Sequence, residues 1–216
     1  MTRPVGGGAV VTRPVLIVLA KEPVAGRVKT RLCPPLTPKE AATVAEAALH
    51  DTLRAAASVA GVRRLLVLDG APGAWLPAGF EVAAQRAGGL GKRLAGAFAA
   101  AGGPAVLIGM DTPQVTRSQL ELALAELARP AVDAALGPAP DGGYWTIGLR
   151  RPDERVFDGV PMSSTRTFAA QRRQLMRLGL NVTQLEPLRD VDTLADARAV
   201  AADAPSGRFS SALAAL

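Results

Sequence analysis

Short apolar runs alternate along the chain with longer stretches whose apolar residues recur every three or four positions. The first run, residues 15–20, reads as a buried strand. A helix is predicted over 38–60, with Thr37 as its N-cap and Pro38 at its first position, and a second strand over 62–68. Further on, 80–84 suits a short strand, 90–101 a helix, 104–109 a central strand, and 118–128 a helix capped by Thr116. Residues 132–136 and 144–149 read as strands separated by the turn Pro140-Asp141-Gly142-Gly143. The pattern closes with a helix over 165–178 ended by Gly179, a strand near 181–185 and a last helix over 194–202. Strand and helix in repeated alternation predict a single three-layer α/β/α domain with a mostly parallel central sheet. No internal repeat or low-complexity linker divides it. The domain is expected over 15–204, with 1–14, which contains Gly6-Gly7-Gly8, as a flexible leader and 205–216 as a C-terminal tail.

Composition narrows the function classes. A chain of 216 residues with 49% hydrophobic content can bury one sizeable core. Its single cysteine, Cys33, excludes a disulfide framework and a cysteine-based zinc site, and a reducing cytoplasm is the expected setting. No window approaches the ~18 uninterrupted apolar residues of a membrane helix, so no membrane partner is expected. The net charge is +6, yet only Lys21, Lys29, Lys39 and Lys92 among the 25 cations are lysines, and aromatics are 4% of residues. That is poor material for stacking on nucleic acid, and a small anionic ligand explains the cations better than a nucleic-acid partner. Nothing in the sequence specifies an oligomeric state.

The cations concentrate in one place. VLIVLAKEPVAGRVKTRL, residues 15–32, runs from a buried strand straight into a loop carrying Lys21, Gly26, Arg27, Lys29 and Arg31. Such a loop at the carboxyl edge of a parallel sheet outlines a polyphosphate site. It is neither a Walker loop nor a dinucleotide fingerprint, so side chains must supply most of the phosphate contacts. Asp111 follows the apolar strand and precedes Thr112-Pro113, where a carboxylate can hold Mg²⁺ against a phosphate. In Arg189-Asp190-Val191-Asp192-Thr193 an extended chain points both aspartates the same way, one as a ligand and the other as a structural cap, while Thr193 caps the next helix. Asp141-Gly142-Gly143-Tyr144-Trp145 reads by itself as a hairpin turn. His50 is the only histidine, which excludes serine–histidine and cysteine–histidine triads and a multi-histidine metal site. Cys33 is expected to pack within its loop.

KEPVAGRVKTRL at 21–32, GMDTP at 109–113, GPAPDGGYWTIGL at 137–149 and DVDT at 190–193 resemble the motifs of the DUF2064 family. That family is similar to phospholactate guanylyltransferase and the molybdenum-cofactor nucleotidyltransferases, and the resemblance implies the GT-A, or nucleotide-diphospho-sugar transferase, fold over roughly 15–200. By the same resemblance the loop with Lys29 would neutralise a triphosphate and Asp111 would be a metal-binding aspartate, and on that reading Lys29, Arg31 and Asp111 would be catalytic. Ala20, Lys21, Gly26, Arg27, Lys29, Gly91 and Arg93 would bind nucleotide. Asp111 and Asp192 would hold Mg²⁺ or Mn²⁺, and Asp141, Gly142, Gly143, Tyr144 and Ser163 would line the acceptor side. The chain departs from the family in having Gly88-Gly89-Leu90-Gly91 for Gly-Asp-Leu-Gly and Met162-Ser163-Ser164 for Trp-Ser-Thr.

The expected function is a Mg²⁺-dependent nucleotidyltransferase. An ionised phosphate or phosphonate acceptor would attack the α-phosphorus of a nucleoside triphosphate and release pyrophosphate, a reaction that needs positioning and charge compensation but no histidine base. Two alternatives stand beside it: a glycosyltransferase using a nucleotide-sugar, with Asp141 as base, and a nucleotide-binding module without turnover.

Overall fold

In the computed structural model, which describes residues 13–216, the run VLIVLAK forms strand β1 (Val15–Lys21). Its side chains serve two cores at once, Leu16, Val18 and Ala20 entering one and Val15 and Ile17 the other. A strand buried on both faces has no use for polar alternation, hence the continuous apolar run. The chain continues through α1 (Pro38–Ser58), β2 (Arg63–Asp69), β3 (Glu81–Ala84), α2 (Leu90–Ala101), β4 (Ala105–Gly109) and α3 (Arg117–Ala128). It closes with β5 (Ala134–Pro138), β6 (Tyr144–Leu149), α4 (Thr167–Arg177), β7 (Val182–Gln184), α5 (Leu194–Asp203) and α6 (Arg208–Ala214).

The seven strands form one sheet in the order β3-β2-β1-β4-β6-β5-β7. Every neighbouring pair is parallel except those made by β6, which runs against both β4 and β5. Leu49 and Leu53 of α1 and Leu120 and Leu127 of α3 cover one face, while Leu94 and Phe98 of α2 and Leu175 of α4 cover the other. The fold is therefore a single three-layer α/β domain, as the alternation of patterns predicts.

The connectivity places a crevice. β1 leads through α1 to β2 on one flank, whereas β3 leads through α2 to β4 on the other, so the strand order reverses between β1 and β4. Loops leaving the carboxyl ends of those two strands diverge there. Because β6 is antiparallel, its amino end at Tyr144 opens onto the same edge of the sheet.

Helix starts follow their side chains. Thr37 accepts the N–H of Glu40 while the Glu40 carboxylate accepts the N–H of Thr37, and Thr116 with Gln119 and Thr193 with Asp196 repeat the exchange. This third pair corrects one expectation: the cap of α5 is built by Thr193 and Asp196, so neither Asp190 nor Asp192 is occupied with it. The segment 205–216, expected as a tail, contains α6. Phe209 is 1% exposed in a cluster with Ala41, Val44 and Ala48 of α1, Ala197 and Val200 of α5, and Leu32 and Val191 of the site loops. The Asp51 carboxylate accepts the Phe209 N–H at 2.8 Å and anchors the helix. The expected leader, 1–14, lies outside the described residues except for Arg13 and Pro14; the Pro14 carbonyl accepts from Arg63 N–H and extends the pairing of β1 and β2. No helix among the described residues is long and apolar enough to cross a membrane.

Candidate active site

The crevice holds a cavity of ≈ 640 Å³, walled by the loop after β1, the loop after β4, the 190–192 strap, the amino end of β6 and residues 162–167. The loop after β1 owes its shape to an alternation of buried and free side chains. Val28 and Leu32 are buried, Arg27 and Arg31 are exposed, and Gly26 turns the chain at φ +78. Lys29 itself takes φ +48, ψ 35, an unusual left-handed conformation for a residue with a side chain, and leads into the short 3₁₀ turn Thr30–Leu32.

That geometry sends the Lys29 side chain inward. It is 6% exposed, its ammonium lies 2.6 Å from Asp111 Oδ1, and it donates to the main-chain carbonyl of Val191. The Val191 N–H in turn donates to the Asp111 carbonyl at 2.9 Å, which fastens the strap to the end of β4. Val191 is fully buried, so Asp190 and Asp192 on either side of it face the cavity, as the period of two requires. Asp192 Oδ2 meets Arg31 Nη1 at 2.8 Å. Asp190 has no such partner among the described residues. Burial first, then the Asp111, Asp141 and Asp192 carboxylates, push its carboxyl up to about 8, with Lys29 acting in the opposite direction.

A second group of cations lies at the rim. Arg27 and Arg93 flank Asp69 at 3.9 and 3.6 Å, and Arg93 Nε donates to the Gly88 carbonyl at 2.9 Å. Ala20 and Lys21 line the floor beside Gln85, whose Nε2 donates to the carbonyls of Ala20 and Val67. Gln85 has no sequence signal of its own, because its role comes from main-chain groups of two other strands. Gly26, Gly91 and Gly142 do not line the cavity. Gly91 packs within α2, where a Cβ would lie 3.6 Å from Met162 and Phe157. At Gly89, the N-cap of α2, a Cβ would meet nothing within 4 Å.

The opposite wall is built without charge pairs. Asp141 Oδ1 accepts the Gly143 N–H at 2.8 Å, which closes the β5–β6 hairpin. Gly142 sits at φ +88, and a Cβ there would fall 2.1 Å from the Thr165 carbonyl oxygen. Its own carbonyl accepts the Phe168 N–H at 2.8 Å, joining the hairpin to the start of α4. Tyr144 donates to Gln171 Oε1 at 3.3 Å, and burial pushes its phenol up, so it stays protonated. Ser163 at φ +57, Ser164 and Thr165 complete the wall.

Asp111, Asp190 and Asp192 offer hard oxygen donors of the kind Mg²⁺ and Mn²⁺ take, and the lodged Lys29 ammonium shows that the place accepts a cation. Among the described residues no group of three or more His, Cys, Asp and Glu side chains is already arranged as a metal centre.

Solved structures with the same architecture include several that are named as transferases. A protein from Desulfovibrio desulfuricans, designated provisionally as a nucleotide-diphospho-sugar transferase, is 27% identical with a TM-score of 0.84, covering 95% of each chain. CMP:2-keto-3-deoxy-manno-octonic acid synthetase, solved with CTP, is 17% identical with a TM-score of 0.57 over 88% of this chain and 98% of that one. The 2-C-methyl-D-erythritol 4-phosphate cytidylyltransferase of Thermus thermophilus is 17% identical with a TM-score of 0.54 over 92% and 97%. The last two likenesses show the shared fold. No curated protein matches the chain. The family model described as "Uncharacterized protein conserved in bacteria (DUF2064)" matches residues 43–164, which include the motifs at Asp111 and Asp141 but neither the Lys29 loop nor the 190–193 strap. With more than half of its length matched, the chain belongs to the DUF2064 family.

Proposed function

We propose that this transferase-fold chain is a Mg²⁺-dependent nucleotidyltransferase. It would move a nucleoside monophosphate from a nucleoside triphosphate to a small phosphate or phosphonate acceptor and release pyrophosphate. One observation carries the reading: Arg27, Lys29 and Arg31 line a single cavity at the sheet's switch point together with the carboxylates Asp111, Asp190 and Asp192, Lys29 paired with Asp111 and Arg31 with Asp192. The cations hold the β- and γ-phosphates, and Arg31 and Lys29 offset the charge that gathers on pyrophosphate as it leaves. Asp111 with Asp190 or Asp192 would hold a divalent ion, which would supply charge neutralisation at the α-phosphate. The acceptor oxygen is already ionised at neutral pH. Accordingly His50, which lies on α1 beside Asp51, is not needed as a base. Ala20, Lys21 and Arg93 approach the nucleoside, and Asp141, Gly143, Tyr144 and Ser163 the acceptor. A nucleotide substrate and a lone, partly exposed cysteine suit the cytoplasm.

A second reading has its own support. Among the described residues lining the Asp141–Thr165 wall, none is a cation; the wall offers a carboxylate and hydroxyls instead. That suits a neutral polyol, and a glycosyl transfer with Asp141 as base would use it. Parallel incubations with Mg²⁺, one with each nucleoside triphosphate and a pool of phosphorylated metabolites and one with nucleotide-sugars and neutral polyols, separate the two. Pyrophosphate release supports nucleotidyl transfer, whereas nucleoside diphosphate released from nucleotide-sugars supports glycosyl transfer and displaces it.

A further inference from the structure

We infer that the gap between the Asp111 carboxylate and the Val191 main-chain carbonyl is the seat of the divalent cation, and that the Lys29 ammonium fills this seat until a nucleotide draws it away. The inference rests on the proposed reaction only for the identity of the anion that draws the lysine out. Its basis is the place in which the ammonium sits, bonded to Asp111 Oδ1 and to the Val191 carbonyl, with the lysine side chain only 6% exposed. A carboxylate and a main-chain carbonyl are the donors that Mg²⁺ and Mn²⁺ select.

The seat does not depend on the lysine for its shape. Val191 is fully buried in the cluster under α1, and its N–H holds the main-chain carbonyl of Asp111, so the Val191 carbonyl and the Asp111 backbone stay in place when Lys29 leaves, and the Asp111 carboxylate is freed for the ion. The backbone of Lys29 is held at φ +48 by the turn itself, in which the Leu32 N–H donates to the Lys29 carbonyl between the buried Val28 and Leu32, so the side chain can leave without the turn coming apart.

Two cations cannot share one seat at contact distance. A divalent ion arriving alone must expel Lys29 with no new partner on offer, and its apparent affinity falls by the fraction of molecules in which the seat is free. A triphosphate changes this, because it gives the ammonium another anion. Metal and nucleotide are thus coupled through Lys29, and the metal alone binds weakly.

The test is Mn²⁺ titration of the full chain without nucleotide, followed by the electron paramagnetic resonance signal of the free ion. Lys29→Met removes the charge, and Lys29→Gly removes it in a residue that accepts positive φ, which guards against a loop upset by the first change. Both variants are expected to bind Mn²⁺ about 10- to 100-fold more tightly than the wild type, the factor a charge-assisted contact contributes. Adding Asp111→Asn should erase the gain. Equal or weaker Mn²⁺ binding in both variants, or a gain that survives Asp111→Asn, overturns the inference. The reaction is read separately: tighter Mn²⁺ binding without any pyrophosphate release supports the seat and rejects the transfer, while pyrophosphate release with no gain in Mn²⁺ affinity does the reverse.

Discussion

The two walls of the cavity are built on opposite principles. On the side of the loop after β1, Lys29 pairs with Asp111 and Arg31 with Asp192, contacts that a substrate's phosphates can break and replace. Across from it, the Asp141–Tyr144 hairpin and the start of α4 are fixed by main-chain bonds and by the absence of a side chain at Gly142. The first wall stores its charges in temporary partners, and the second is complete before any ligand arrives. Substitutions on the first should therefore change binding and turnover with little effect on the fold, and those on the second should change the fold itself.

Asp111→Ala is the severest test of the first wall. It removes the carboxylate shared by the lysine and the proposed metal, and kcat/KM should fall by at least about 100-fold, the scale of losing one group that stabilises developing charge. The Asp111 side chain is 41% exposed, so circular dichroism should stay unchanged. Full activity in a folded Asp111→Ala protein would remove the proposed site.

Gly142→Ala is the counterpart on the second wall. A methyl 2.1 Å from the Thr165 oxygen, on a residue at φ +88, forces the hairpin away from α4. The expected cost is about 2–4 kcal/mol, or a melting point lower by roughly 5–15 °C. An unchanged melting point would show that this wall is pliable and would undo the contrast.

Between the walls lies Asp190. Burial holds its carboxyl at about 8 in the folded chain against 3.8 for an unperturbed aspartate, so the native state binds a proton that the unfolded chain has already lost. Stability from this source is present below the lower value and is lost as pH rises toward the higher one. Screening by the open cavity limits the effect to about 1–2 kcal/mol. Metal-free wild type should lose roughly 2–8 °C of melting temperature across that window, while Asp190→Asn should not. Parallel curves for the two proteins would mean that the carboxylates do not couple in this way.

What the sequence made legible is what is local. The β1 run, the caps Thr37, Thr116 and Thr193, and the hairpin at Asp141-Gly142 each follow from neighbouring residues, and each is found. A boundary differs where a distant contact intervenes: α4 starts at Thr167 rather than 165, where the Phe168 N–H is committed to the Gly142 carbonyl of the hairpin. The helix α6 depends on an Asp51 carboxylate 158 residues away, beyond the reach of periodicity. The site shows the same division. Lys29, Asp111 and Asp192 stand out singly, but that Lys29 reaches the Val191 carbonyl, 162 residues on, is a product of the folded chain.

Arg31 and Asp192 give the smallest effect and the sharpest use of the contrast. Their side chains are 68% and 41% exposed, and an ion pair that open to water gains little over its hydrated parts. A double-mutant cycle of Arg31→Ala and Asp192→Ala on the free protein should give a coupling below about 1 kcal/mol in stability. Arg31→Ala should nevertheless lower kcat/KM by about 10-fold, because the guanidinium finds a stronger partner in a phosphate than in Asp192. A pair nearly silent in stability yet visible in kcat/KM is what a placeholder contact predicts. Coupling above about 2 kcal/mol with kcat/KM unchanged would instead make the pair a structural clasp, and the first wall would then be as preformed as the second.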